Sequence, residues 1–373
     1  MSNLAIDRVE TAILDVPLRR PHRFATTGMD AQASLLVTLT TKDGVRGVGE
    51  GVVPGGPWWG GESVETMQLI IEKYLAPLLI SRRVDEIAGI QQSMNDLVNN
   101  NLYAKAAVEV ALHDAWARSL GVPVHTLLGG LARTSIPVTW ALGTESAAEV
   151  IDEAQGKLDT GLHTSFKLKM GAQEPGDDVA RVAEVAEKLA GRASVRVDIN
   201  ARWDLLTSLR WLPRLAEAGV DLSEQPVPGA EYEWLAEINA MLTVPVMADE
   251  SLRTPTDALR LVKLRAADVF SLKTTKSGGL RYTRQIADIA AAAGVPCHSG
   301  TAIEGPIGTA ASLHLACAVP AVTYGSELFG PLLMREELLT EPLRYAEGAL
   351  HLPEGPGLGV ELDPAAVVRF TRG

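Results

Sequence analysis

From about residue 135 onward, eight short apolar runs follow one another, each separated from the next by an amphipathic helical stretch of similar length. The runs are PVTWAL, SFKLKM, VRVDIN, VDLSEQP, PVMADES, VFSLKTT, VPCHS and VTYGSEL. Strand and helix alternating eight times predict a parallel α/β barrel. Asp198, Glu224, Asp249 and Lys273 succeed one another at intervals of 26, 25 and 24 residues. One strand, loop, helix and loop of such a barrel takes about that much chain.

The runs end in charge. Lys167 and Lys169 close the second, Asp198 the third, Glu224 the fourth, Asp249 the fifth, Lys273 the sixth and Glu327 the eighth. An isolated buried charge is very unfavourable. Seven at equivalent strand ends converge on the barrel mouth, where barrel enzymes keep their active sites. Three acids on neighbouring strands suit a hard octahedral ion, Mg²⁺ or Mn²⁺; without one they repel, and at least one must take a proton. Any one of them alone could cap a helix or pair with an arginine, but three in register favour the metal. No HExxH or CxxC pattern occurs, which disfavours zinc. Lys167 and Lys169, two apart on a strand, point to the same face. Side by side and near a metal they are expected to depress each other's pKa, so that at least one exchanges a proton near neutrality. Lys273 comes from the opposite flank. A metal between lysines suits chemistry at a carbon beside a carboxylate: the metal stabilises an enolate and a lysine moves the proton, a pairing already recognised for the enolase superfamily.

Before the barrel, residues 1 to about 130 read as one α+β unit. VETAILDVPL is a predicted strand, and SLLVTLTTKDG with VRGVGEGVV predicts a hairpin around Asp43-Gly44. Helical spacing runs from Glu62 to about Leu128, and AKAAVEVALHDAWARSLG stops at Gly121 with Pro123 beyond. The chain's 373 residues, 46% hydrophobic and 21% charged, fit a large domain with a smaller one, globular throughout. The apolar stretches are too short for a membrane span, and the acidic N-terminus is unlike a signal peptide. Two cysteines, Cys297 and Cys317, are too few for a disulfide framework and predict a cytoplasmic protein. The net charge of −12 argues against nucleic acid and means that an anionic substrate needs a local positive site.

FKLKMG, VRVDINARWD, SEQP, VMADES, SLKTTKSGG, GTAIEGPIGTAAS and GSELFGPLL resemble the muconate cycloisomerase family of the enolase superfamily in order and spacing, as do RPHRFATT, GVGEGVVPGG and LLGG before the barrel. The resemblance covers nearly the whole chain. It implies an enolase-like α/β fold: an α+β capping domain (1–132), a (β/α)7β barrel (133–329) and a C-terminal segment (330–373) packing back on the cap. It implies Asp198, Glu224 and Asp249 as metal ligands for Mn²⁺ or Mg²⁺, Lys169 as the proton-transfer residue tuned by Lys167, Lys273 across the site as electrostatic help, and Glu327 as catalytic. Pro54, Trp59, His22, Ser299 and Phe329 fall at its substrate and lid positions. Pro54 stands where other members carry a branched aliphatic residue. The implied substrate is a dicarboxylate, cis,cis-muconate, interconverted with muconolactone in aromatic-compound breakdown, and the implied assembly is a homo-octamer. The alternatives are a chloromuconate cycloisomerase, and a dipeptide epimerase or N-succinylamino-acid racemase. GSELFGPLL lacks the aspartates expected of the epimerases on strand eight. A catalytically dead binding descendant is a further alternative, opposed by the complete set of site residues.

Several features carry two readings. His298, at the end of the seventh run, reads as a site-lining or hydrogen-bonded histidine; the racemase-type base pair is missing, because Lys273 ends run six and Asp268 lies at its start. VVPGGPWWGGES, with Trp58 and Trp59, reads as a lid or as a surface loop. Ser277-Gly278-Gly279 reads as an anion site or as a tight turn. Asn200 and Glu250 are expected to support the neighbouring ligands.

Overall fold

The computed structural model describes residues 3–24 and 27–373; Ala25 and Thr26 of the RPHRFATT segment lie outside the described residues. Strands β1 (Ile6–Arg23), β2 (Gly28–Thr41) and β3 (Arg46–Val52) form an antiparallel sheet in that order. Thr40 pairs with Arg46, so the hairpin turns where Asp43-Gly44 predicts, with Gly44 at φ +80° and its N–H bonded to Thr41 O at 2.8 Å. Helices α1 (Val64–Ile70), α2 (Ala76–Leu79), α3 (Ile87–Leu97), α4 (Leu102–Leu120) and α5 (Val124–Leu127) follow, with a π-helical turn at Ile71–Leu75.

Helix α4 is buried nearly all round because it lies between the cap sheet and the barrel. Its stripe of Ala107, Ala111 and Ala115 meets Gly47 and Gly49 of β3. A Cβ on Gly49 would fall 1.9 Å from Ala107 O, and one on Gly47 2.3 Å from Ala111 O. The two surfaces touch backbone to backbone, which only glycine allows.

The barrel strands are β5 (Trp140–Leu142), β6 (Ser165–Lys169), β7 (Ser194–Asp198), β8 (Leu222–Glu224), β9 (Val246–Ala248), β10 (Val269–Leu272), β11 (Cys297–Ser299) and β12 (Val322–Ser326). All neighbours pair in parallel, in sequence order. A parallel bridge between Val138 and Ser326, with Thr139 N–H donating to Ser326 O at 2.7 Å, joins the last strand to the first. Helices α6 (Ala147–Asp159), α7 (Pro175–Leu189), α8 (Leu205–Glu217), α9 (Tyr232–Met241), α10 (Pro255–Leu264), α11 (Leu280–Ala292) and α12 (Pro306–Ala318) follow the first seven strands in turn, giving the (β/α)7β pattern. Local signals start them: Ser146 and Thr254 close capping boxes with Glu149 and Asp257.

PVTWAL proves to be two elements. Its first residue ends β4 (Ser135–Pro137), which pairs with β14 (Ala349–His351); only then does the chain enter the barrel at β5. Alternation of apolar residues cannot reveal that a strand changes partner midway. After β12 come α13 (Gly330–Leu333), β13 (Tyr345–Ala346), β14 and α14 (Pro364–Phe370). This segment bridges β1 at Leu18–Met334 and Leu14–Thr371 while its β-hairpin extends β4 at the barrel base. Among the described residues no helix is long and apolar enough to cross a membrane.

Candidate active site

Side chains alternate along a strand, and in β6 this separates two jobs. Phe166 and Leu168 are buried in the hydrophobic core, while Lys167 and Lys169 reach acids inside the barrel. Strand pairing then sets the acids in a row. Lys169 is opposite Asp198, and Asp198 opposite Glu224. Asp249 follows the end of β9, Lys273 the end of β10 and Glu327 the end of β12. Every charged residue singled out from the strand ends is at the same mouth of the barrel. Asp268, by contrast, precedes β10 and accepts from Val246 N–H at the start of β9, at the far end.

The ion pairs are dense. Lys167 Nζ donates to Glu224 Oε2 and Glu327 Oε2, both at 2.6 Å, and lies 3.4 Å from Asp198 Oδ2. Lys169 Nζ donates to Asp198 Oδ2 at 2.6 Å and to Asn200 Oδ1 at 3.1 Å. Lys273 and Lys276 hold the two oxygens of Asp249, each at 2.5 Å. Asn200 Nδ2 donates to Glu250 Oε1 at 3.2 Å, and Trp59 Nε1–H from the cap reaches that same oxygen at 2.9 Å. The backbone beyond the strand ends is strained: Asn200, Ala201 and Gln225 all have positive φ, at 48°, 60° and 34°. Gln225 secures the turn after β9, its Oε1 accepting from Asp249 N–H at 2.9 Å and Ser251 N–H at 3.2 Å.

These contacts correct one expectation. Lys167 does not have a depressed pKa: burial lowers it, but Glu224, Glu327 and Asp198 outweigh burial and hold it well above the usual value. Lys273 is raised too, Asp249 overcoming its burial. The acids diverge. Burial, then Asp198, pushes Glu224 up to about 8 against the pull of Lys167. Burial, then Asp249 and Asp198, pushes Glu250 up to about 7. Asp198 and Asp249 stay below the usual carboxylate range because their lysines outweigh burial.

The predicted metal ligands, Asp198, Glu224 and Asp249, are all fully buried. Their oxygens turn toward lysines, and among the described residues no three His, Cys, Asp or Glu side chains are gathered into a finished metal cage. Two observations nevertheless fit a dication. Lys167, Lys169, Lys273 and Lys276 pair with four buried carboxyls, those of Asp198, Glu224, Asp249 and Glu327, and the half-buried Glu250 stands beside them through Asn200. Glu224 Oε1 and Glu250 Oε2 are buried without a hydrogen-bond partner. Buried carboxyls crowded together, with idle oxygens among them, are a hard-cation donor set.

A cavity of about 410 Å³ opens between cap and barrel, its walls including His22, Phe24, Pro54, Trp58, Trp59 and Phe329 beside the lysines. The loop of Trp58 and Trp59 packs beside the mouth: Trp58 Nε1–H bonds Pro54 O at 2.8 Å, and Lys273 Nζ lies 4.5 Å over the Trp59 ring. His22, at the end of β1, is fully buried with neither ring nitrogen partnered, and burial, then Arg20 and Lys169, keeps its imidazole neutral. Ser299 departs from its assignment. It ends β11 inside the barrel, where its carbonyl accepts from Glu327 N–H at 2.8 Å, and the cavity wall is built by Thr301, Ala302 and Ile303 instead. His298 is hydrogen-bonded, Nδ1 to Tyr324 O at 3.0 Å, and burial lowers its pKa to about 4. The helix start after Ser277-Gly278-Gly279 is filled by Glu109 of α4, which accepts from Leu280 N–H at 2.7 Å and Arg281 N–H at 2.9 Å. Lys276 and Gln225 were missed: Lys276 stands just past the sixth run, and Gln225, though inside the fourth, carries no charge to mark it.

Known proteins resemble the chain along its length. The family description "Enolase C-terminal domain-like" matches residues 149–366, and "Mandelate racemase / muconate lactonizing enzyme, N-terminal domain" matches residues 8–129. Muconate cycloisomerase 1 of Rhodococcus opacus is 62% identical over 372 residues, covering 100% of both chains. A chloromuconate cycloisomerase of Delftia acidovorans is 41% identical over 369 residues, covering 99% of this chain and 100% of its own. Among solved structures, 2-chloromuconate cycloisomerase from Rhodococcus opacus 1CP superposes with a TM-score of 0.97 at 46% identity, covering 99% of this chain and 100% of that one. Muconate lactonizing enzyme from Pseudomonas fluorescens, complexed with muconolactone, gives 0.97 at 40% identity over 100% of both.

Proposed function

The chain belongs to the mandelate racemase / muconate lactonizing enzyme family of the enolase superfamily, and from that premise we propose that it is a muconate cycloisomerase, an isomerase interconverting cis,cis-muconate and muconolactone in aromatic catabolism. The observation that carries this reading is the barrel mouth itself: lysines on opposite flanks of three buried acids, under a cap whose walls enclose a slot with apolar faces.

In the forward reaction one carboxylate of the diacid adds through oxygen to the conjugated double bond, and a proton then goes to the carbon beside the other carboxylate. Lys169 lies beside the cavity and 6.0 Å from the Phe24 ring, which supports its ammonium as the donor of that proton and, in reverse, its amine as the acceptor. Lys167, locked to Glu224 and Glu327, stays charged and lends electrostatic help, as does Lys273 from the far flank. Phe24, Trp58 and Phe329 hold the flat diene and exclude water. His22 offers its free imidazole to the carboxylate farthest from the acids. Asp198, Glu224 and Asp249 would hold a divalent cation, Mn²⁺ or Mg²⁺, which when bound supplies Lewis-acid stabilisation of the charge developing beside the carboxylate. By family resemblance we also assign a homo-octamer, with residues 1–132, 133–329 and 330–373 as cap, barrel and returning segment.

The test is an ultraviolet assay of cis,cis-muconate loss, run beside 3-chloromuconate and an Ala-Glu dipeptide. Muconate should be turned over, a chelator should stop it, and Mn²⁺ or Mg²⁺ should restore it. Epimerised dipeptide with muconate untouched, or full activity after thorough metal removal, would overturn the assignment.

A further inference from the structure

Behind the substrate cavity, the loop from β11 to α12 contains a conformation that its sequence does not favour. Ile303 has φ +59°. A β-branched side chain in the left-handed region is a genuine outlier, and such strain persists only where surrounding bonds impose it. Those bonds converge on one carboxylate. Glu304 Oε2 accepts from the Thr301 hydroxyl and from Ala302 N–H at 2.8 Å, while Ile303 N–H donates to Thr301 Oγ1 at 2.9 Å. Glu304 is buried, and its other oxygen has no partner. It borders a small gap at the cap–barrel junction, lined also by Glu50 and Thr275. On that side the Glu304 hydrogen bonds fix the loop. On the opposite side the backbone is pinned closely, since a Cβ on Gly330 would fall 2.1 Å from Glu304 O. Residues 301–303, held in this way, form one wall of the substrate cavity, and Phe329 forms another beside it.

We propose that Glu304 is a positioning residue that holds Ile303, through Thr301 and Ala302, as the wall deciding which chlorine-substituted muconates fit. The inference rests on the cycloisomerase reading and deepens it. Glu304 touches no substrate; it acts by fixing the loop. Ile303 sets the clearance, and the bonds through Thr301 and Ala302 keep its strained backbone from relaxing.

The experiment compares kcat/KM for cis,cis-muconate and 3-chloromuconate in the full-length, Mn²⁺-loaded protein and its variants. Glu304→Ala should lower kcat/KM for muconate about tenfold, chiefly through KM, and change the muconate-to-chloromuconate ratio at least threefold in favour of the larger substrate. Glu304→Gln, whose amide oxygen can occupy the Oε2 position and accept both bonds, should keep the wild-type ratio. Ile303→Gly removes the wall and relieves the backbone, so it should shift the ratio in the same direction with Tm kept within a few degrees; it carries the test if Glu304→Ala does not fold. A ratio unchanged in Ile303→Gly, or a Glu304→Ala variant that loses activity on both substrates equally, overturns the proposal while leaving the function intact. A wild-type enzyme inactive on both substrates overturns the proposal and the function together.

Discussion

The reacting end of the site rests on single side chains. Of the two lysines on β6, Lys169 borders the cavity while bonding just one acid, Asp198, and Lys167 spends its donors on Glu224 and Glu327; Lys273 faces them from the other flank, bonded to Asp249. Lys169→Ala should reduce turnover by at least about 10³-fold, within the span of general acid–base contributions, with an unchanged circular dichroism spectrum and retained Mn²⁺ binding by calorimetry. Near-normal turnover would move the proton to another group. The charged strand-end residues were legible because a strand end is marked in the sequence by an apolar run giving way to charge. Their ionisation was not. Spacing says that Lys167 and Lys169 share a face, but it cannot say that Glu224 and Glu327 lie closer to Lys167 than its fellow lysine acts on it. Lys276 escaped for a related reason: it sits in a turn after β10 and reaches Asp249 only because the chain doubles back.

Among the elements, the loop between β3 and α1 does what glycine-rich loops near a barrel mouth can do: it places two indoles against the site. Trp59 is the one that grips the barrel, through Glu250. Trp59→Phe keeps a ring over Lys273 and removes only the N–H. Losing a hydrogen bond to a half-buried acid should raise KM for muconate roughly tenfold, with kcat affected less. Steady-state kinetics decide it, and unaltered KM would show that closure does not use this bond. The hairpin at Asp43-Gly44 and the stop of α4 at Gly121 were readable because turn chemistry is local. The partner change between β4 and β5 was not, because it depends on β14, more than two hundred residues later. Glu304 belongs with these: nothing local in AIEGP announces that a carboxylate holds up an isoleucine.

Across the whole molecule, cap and barrel are joined by buried acids that accept backbone N–H groups from the other side. Glu50 of β3 accepts from Gly305 and Gly308 at the start of α12, both at 2.8 Å. Burial, with Glu304 adding to it, raises its pKa from 4.5 to about 7. A carboxyl raised by folding stabilises the fold fully below its unfolded pKa and loses that contribution as pH rises through its folded one. The stability advantage of the wild type over Glu50→Gln should therefore shrink by about 3 kcal/mol between pH 4.5 and pH 7, as measured by urea unfolding across that range. An advantage that grows with pH would contradict it. The contact of Gly47 and Gly49 with the alanine stripe of α4 has its own outcome at this scale. With no side chains between them, sheet and helix have nothing to slide on, so the cap behaves as one slab clamped over the mouth. Passage of the diacid in and the lactone out then falls to the loops at the rim, and a library aimed at faster product release belongs in residues 53–61, not in the slab that carries them.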